Sequence, residues 1–410
     1  MKERPIHAPM EQFPIINGEL HVGGMSITQL AERVGQTPFY AYDRRLISNR
    51  IQYLRDSLPA ALKLHYAIKA NPMPAVVQHL ATLVDGFDLA SAGEMQTALD
   101  TPMAAEKISI AGPGKTDREL RQAIAAAITI NLESVTEMRR TAQIGMALGI
   151  TPRVAIRVNP DYDLKSSGMK MGGGPKPFGV DAEQVPTMLK EMTAMALEFR
   201  GFHIFWGSQN LNPEAIMEAH EKTLTLALHL SDTAPQPPHH LNIGGGLGIP
   251  YFPGEQRLDL RPIGENLDRL IATFQQTLPK TTLITELGRF IVGEAGLYIS
   301  RIIDIKESRG ERFIVTDGGL HHHLAASGNF GQVIRKNYPV AIANRMDCTE
   351  HENVTIVGPL CTPLDLLANK MELHKAEVGD LVAIYQSGAY GLSASPERFL
   401  SHPSARELLL

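Results

Sequence analysis

Eight short apolar runs, each followed by a longer amphipathic stretch, constrain this chain more than any other feature of it. They fall at residues 62–67, 85–90, 108–111, 128–132, 153–158, 199–206, 240–243 and 282–285. Runs this short read as strands, and the stretches between them carry helical periodicity. Three of those stretches open on capping-box patterns: Ser91-Ala92-Gly93-Glu94, Thr116-Asp117-Arg118-Glu119 and Ser134-Val135-Thr136-Glu137. Helices are also expected over 181–192 and 262–277. Eight strands alternating with helices is the pattern of an α/β fold closed into a (β/α)8, TIM-like barrel.

From residue 296 the texture changes. Residues 297–306, 312–317, 354–357 and 380–386 are β-rich with little helical periodicity. They predict a second, mostly antiparallel β domain over 296–410. The N-terminal segment, residues 1–38, is expected to join it, its stretch 20–40 reading as short strands, so that 39–295 is the barrel. Residues 166–179, rich in Gly, Lys and Met, read as a mobile loop beside the site. The net charge is −5 with no basic block, and aromatic residues make up 6% with one Trp. That balance argues against nucleic-acid and acidic-membrane partners. Two cysteines, Cys348 and Cys361, make no disulfide framework and fit a reducing compartment. The first 20 residues lack the apolar core of a signal peptide, and no run of 18 uncharged apolar residues exists to span a membrane, so a cytoplasmic location is expected.

Several motifs sit at the ends of the predicted strands, the face on which barrels build their sites. Lys69 closes His65-Tyr66-Ala67-Ile68-Lys69 after the first strand. Partial desolvation there would favour the neutral amine that forms an imine, although a strand-end lysine taken alone is more often simply solvated. Gly244-Gly245-Gly246 follows the seventh strand and would let backbone N–H groups approach a phosphate. It matches no dinucleotide fingerprint, and Ser109 stands where a P-loop before Gly114-Lys115-Thr116 needs its first glycine. Glu286-Leu287-Gly288-Arg289 follows the eighth strand. Its carboxylate suits a ring nitrogen that must stay protonated and its guanidinium suits a phosphate, while a local ion pair is the plainer alternative. His203 and Phe205 share one face of the sixth strand, where a ring could stack on a planar cofactor, and the Ser208 hydroxyl follows. Cys361, within Val357-Gly358-Pro359-Leu360-Cys361-Thr362-Pro363-Leu364-Asp365, and Tyr390, within Gly388-Ala389-Tyr390-Gly391, lie in the β domain. His321-His322-His323 lacks the spaced carboxylate or cysteine that a metal site calls for.

The order of these motifs, from Pro38 to Ser395, resembles the pyridoxal-phosphate (PLP)-dependent ornithine/diaminopimelate decarboxylases of fold-type III. It is most similar to a branch associated with exosortase systems and to decarboxylases of glutamyl groups on carrier proteins. The resemblance implies a PLP-dependent carboxy-lyase that decarboxylates an amino acid or aminoacyl group. Lys69 is then the Schiff-base lysine, Glu286 the partner of the pyridinium nitrogen, and Asp88 a neighbour of the lysine. Ser208, Gly246, Arg289 and Tyr390 hold the phosphate, and Phe205, Gly245 and Gly288 complete the cofactor-binding set. Cys361 is the proton donor, reaching in from the partner subunit of a homodimer with shared active sites. His203 is a further catalytic candidate, and Arg289, Thr362, Asp365 and Tyr390 are the substrate-side candidates.

Three departures bear on substrate. Phe205 stands where the family has a histidine stacked on the cofactor, so either Phe205 or His203 takes that place. Thr362 stands where an acidic residue usually grips a distal ammonium. The segment Leu320-His321-His322-His323-Leu324-Ala325-Ala326-Ser327-Gly328-Asn329-Phe330 carries no Arg-Pro arm for a distal carboxylate. A site without its charged partner discriminates against the charged group. A glutamyl or carrier-tethered substrate is therefore expected over ornithine, lysine or meso-diaminopimelate. Alternative readings are a meso-diaminopimelate decarboxylase, an amino-acid racemase or epimerase, and a non-catalytic PLP-binding homologue; Glu286 rather than an arginine at the ring nitrogen speaks against the racemase.

Overall fold

All eight apolar runs form strands in the computed structural model, which describes residues 5–162, 169–170 and 172–410. They are β1 (Leu62–Ala67), β2 (Gly86–Leu89), β3 (Ile108–Ile110), β4 (Thr129–Leu132), β5 (Arg153–Asn159), β6 (Glu198–Ile204), β7 (His240–Asn242) and β8 (Thr282–Leu287). Each pairs in parallel with its chain neighbours, and β8 pairs back onto β1, with Glu286 opposite His65. The sheet is thus a closed eight-stranded barrel.

The helices between strands begin where their caps direct them. Thr116 and Glu119 exchange both bonds of a capping box at the start of Asp117–Ala125. At Ala92–Leu99 and Val135–Leu148 the serine half is the same, Ser91 accepting from Glu94 N and Ser134 from Glu137 N. The glutamates there reach one residue further back, to Ala90 N (2.6 Å) and Glu133 N (2.7 Å), so they cap the strand ends instead.

The barrel interior departs from the usual layers of branched apolar side chains. Alternation along each strand sends His65 and Ala67, Asp88, Ser109, Thr129 and Asn131, Arg157, His203, Asn242, and Ile284 and Glu286 to one side, where they line two cavities. The cavity at the strand starts measures about 520 Å³ and the one at the strand ends about 230 Å³.

The second unit is built on a mixed sheet. Its strands are β9 (Gly296–Ser308), β10 (Glu311–Thr316), β11 (Val340–Ile342), β12 (His351–Val357), β13 (Leu366–His374), β14 (Leu381–Ile384) and β15 (Arg406–Leu409). They run in the order β11-β14-β9-β10-β12-β13. Most pairings are antiparallel, but β10 with β12 and β15 with Phe39–Tyr42 are parallel.

Phe39–Tyr42 also pairs with β9, which draws the N-terminal chain into this sheet. The compact units accordingly divide the chain at Asn49/Arg50 and Gly288/Arg289, with Ile249–Arg257 joining the β unit, rather than at 38/39 and 295/296. The stretch 20–40 is not all strand. Ser26 caps a helix, Ile27–Val34, that buries Ile27, Leu30 and Ala31 in a core with Phe39, Leu297 and Leu381. Its amphipathic spacing, not β propensity, decides the structure there.

Of the expected loop at 166–179, residues 166–168 and 171 lie outside the described residues. Met169–Lys170 pairs with Gly207–Ser208, and Gly179 N donates to Glu133 Oε2 at 3.0 Å. Among the described residues no helix is long and apolar enough to cross a membrane.

Candidate active site

Lys69 lies in a short helical turn, Ile68–Ala70, directly after β1. The turn is held by Tyr66, whose hydroxyl donates to Asn71 O at 2.9 Å. The ammonium stands 5.8 Å from the Phe205 ring centroid and lines the smaller cavity with Asp88, Arg157, Phe178, His203 and Glu286. The expected shelter is missing: Lys69 is exposed, because the turn carries it past the strand end.

Glu286 is 7% exposed, and its Oε2 accepts from Asn242 Nδ2 at 3.0 Å and lies 3.1 Å from His203 Nε2. Burial alone would raise its carboxyl. His203, Lys69 and Arg157 outweigh that and hold it well below the ordinary carboxylate range, so it is an anion. The strand ends thus present an amine and a fixed carboxylate to one cavity.

The glycine run lies beside the end of β6: Gly246 O accepts from Asn210 N at 2.9 Å, and half-buried Ser208 precedes that contact. At Gly245 a Cβ would strike the Glu286 carbonyl, so only glycine lets these two strand ends close together. Gly288 packs against the Lys69 turn, where a side chain would press on Ala70.

The remaining candidates belong to the β unit. The Arg289 guanidinium lies over the rings of Tyr390 (4.6 Å) and Tyr251 (5.3 Å) and donates to the Tyr251 hydroxyl at 2.9 Å. Tyr390 adopts a left-handed backbone (φ 52), which costs a non-glycine residue about 1–3 kcal/mol. Cys361 is exposed and Thr362 half-buried. Asp365 is engaged by backbone within its own unit. It is 3% exposed, and its two oxygens accept from Leu320 N (2.6 Å) and Leu360 N (2.8 Å), tying the cysteine loop to the histidine run. In that run His322 and His323 are engaged by distant parts of the same unit, Pro403 O at 2.7 Å and Ser387 Oγ at 2.9 Å.

Sequence reasoning missed Arg157 and Glu133. Arg157, 8% exposed, pairs with Glu133 at 2.9 Å and lies 5.2 Å from the Phe178 ring. The signal was available: a lone charge inside the buried strand Arg153–Asn159 requires a partner. Tyr251 and Asn242 were missed because their roles depend on contacts distant in sequence.

A barrel ending in a lysine beside a carboxylate, with a glycine run at β7, narrows the comparison with known proteins. Residues 44–293 match the model of the pyridoxal-dependent decarboxylase family, pyridoxal binding domain. The chain belongs to that family. It is 38% identical to the L-glutamyl-[BtrI acyl-carrier protein] decarboxylase of Niallia circulans, over 93% of this chain and 90% of that protein. It is 34% identical to a diaminopimelate decarboxylase of Aquifex aeolicus, over 96% and 91%. The crystal structure of the M. jannaschii diaminopimelate decarboxylase with L-lysine superposes with a TM-score of 0.87 at 27% identity, covering 97% of this chain and 92% of that one.

The protein is a PLP-dependent decarboxylase of an amino acid or aminoacyl group. The racemase and non-catalytic readings find no support among these relatives. The residues present fit the cofactor: an exposed amine for its aldehyde, a buried anion for its ring nitrogen, and a glycine run whose carbonyl contacts leave no room for side chains.

Proposed function

We propose that this decarboxylase acts on a glutamyl-type aminoacyl group carried on an acyl-carrier protein, as a cytoplasmic homodimer in which Cys361 of one subunit serves the other. The observation that carries the substrate reading is the occupation of Asp365. With Thr362 beside Cys361 and both Asp365 oxygens taken by backbone amides, this loop offers a distal ammonium no free carboxylate. The 38% identity to a protein named for a glutamyl-carrier substrate points the same way.

Lys69 would hold the cofactor's aldehyde, Glu286 its ring nitrogen, and Ser208, Gly246, Arg289 and Tyr390 its phosphate. Bound PLP supplies the sink for the electron pair left by departing CO2. The protein's own share is electrostatic and steric. Asn242 and His203 fix Glu286 as an anion, Phe205 gives a flat apolar wall beside Lys69, and Cys361 returns a proton to the carbon that lost CO2.

The test is CO2 release from glutamyl-carrier protein, free glutamate, ornithine, lysine and meso-diaminopimelate under one set of conditions. Carrier-bound glutamyl alone should be turned over efficiently. Comparable kcat/KM on free meso-diaminopimelate would overturn the substrate reading while leaving the decarboxylase assignment intact.

A further inference from the structure

The larger cavity opens at the start of the barrel strands, the end opposite Lys69. It measures about 520 Å³ and is lined by polar side chains, among them His65, Ser109, Asn131 and Asn242. Its depth comes from the small or polar inward positions. Gly86, for one, leaves the space that the His65 imidazole fills, since a Cβ there would collide with the ring. Asp88 lines both this cavity and the one containing Lys69. It is the wall between them.

Asp88 is held in one orientation. Its Oδ1 accepts from the Ser109 hydroxyl at 2.5 Å, and Ser109 in turn accepts from Asn131 Nδ2 at 3.1 Å. That leaves Oδ2 facing His65 Nδ1 at 3.4 Å. Both residues are more than nine-tenths buried, and neither atom has a hydrogen-bond partner among the described residues. Two complementary orphans facing each other across a cavity boundary are rare in a satisfied interior. A polar cavity of this size holds water.

We propose that His65 is a relay residue that carries protons from water in the strand-start cavity to Asp88, and so to the Lys69 side of the barrel. Decarboxylation replaces CO2 by hydrogen and consumes one proton per turnover, so the site must be reloaded. In the relay, a hydronium ion of the cavity water gives a proton to His65 Nε2 and leaves as water, and the Nδ1–H bond breaks as Asp88 Oδ2 takes that proton. The imidazole ends neutral with its proton on the other nitrogen, and ring reorientation or exchange with water resets it. The net transfer is one proton from bulk solvent to the Asp88 carboxylate, with no change of oxidation state. His65 touches neither substrate nor cofactor. The inference rests on decarboxylation itself, not on the carrier-protein reading.

The experiment uses the holoenzyme and whichever substrate releases CO2. His65→Ala should lower kcat by about 10-fold or more, at the low end of proton-transfer effects, with KM unchanged. Added imidazole should restore kcat in a saturable way, because the cavity admits it. The solvent deuterium isotope effect on kcat should rise in the variant. His65→Gln fills the space without relaying and should stay slow without rescue. Independently of turnover, 15N NMR of the His65 ring in wild type should show coupling to Asp88 that Asp88→Asn abolishes. Wild-type kcat in His65→Gln, absence of imidazole rescue in folded His65→Ala, or a His65 resonance indifferent to Asp88→Asn would each overturn the relay. None of these outcomes depends on which aminoacyl substrate the enzyme prefers.

Discussion

Replacing Arg157 by Met should destabilise the barrel through the charge it leaves behind. Arg157 and Glu133 have side chains 10% and 2% exposed, and they meet at 2.9 Å. Removing one member of a buried pair costs about 3–5 kcal/mol because the survivor stays desolvated. Glu133 keeps hydrogen bonds from Gly112 N and Gly179 N, and Lys115 also acts on it, which puts the loss near the low end, about 3 kcal/mol. For a unit of this size that corresponds to a fall in Tm of roughly 6–12 °C. The effect carries a pH signature. Burial pushes the Glu133 carboxyl up, but Arg157 and Lys115 outweigh it and hold it below the ordinary carboxylate value of 4.5. A carboxyl lowered on folding stabilises above its unfolded pKa and loses that contribution as pH falls through the folded value. Wild type and variant should therefore differ most above pH 4.5 and converge in more acidic solution. The assay is thermal and urea unfolding across that range, with Glu133→Gln added to the Arg157→Met background. The second change should recover a large part of the loss. A Tm within 2 °C of wild type, or additive losses in the double variant, would refute the reasoning.

Three other outcomes follow from the same geometry. Glu286→Gln removes the buried anion and should lower kcat by roughly 10²–10³-fold while the cofactor, measured by equilibrium dialysis, still binds. Lys69→Ala and Cys361→Ala should each be inactive alone, and mixing them under subunit exchange should restore activity; no recovery on exchange would contradict a shared site. Burial alone holds His220, packed 6.2 Å from the Trp206 ring, at about 4 against 6.5. Between those values the unfolded chain binds a proton that the folded chain refuses, so stability should fall as pH drops, by up to about 1.4 kcal/mol per unit. His220→Gln should flatten that slope in unfolding titrations.

The barrel could be read in advance because its strands are short apolar runs between capped helices, and each of the eight runs forms one. The β unit was harder. Leu366–His374 carries Asn369, Lys370 and Glu372 amid its apolar positions, and such a mixed pattern becomes strand only through pairing with β12. Ile27–Val34 was hidden for another reason: the helix is only eight residues long, bounded by the Ser26 and Gly35 caps. At the site, motif residues were readable because chemistry limits which types can serve. What sequence could not give is which polar atoms are already spoken for. Asp365 looks like a substrate ligand in the motif and is consumed by two amides in the fold. His65 looks like a strand residue and faces an orphaned carboxylate.

Borohydride reduction of the holoenzyme followed by peptide mapping tests the whole account most directly. The cofactor should be found covalently attached to the peptide containing Lys69, and Lys69→Ala should yield none there. Label on another lysine, or an unlabelled chain from a preparation that releases CO2, would contradict it.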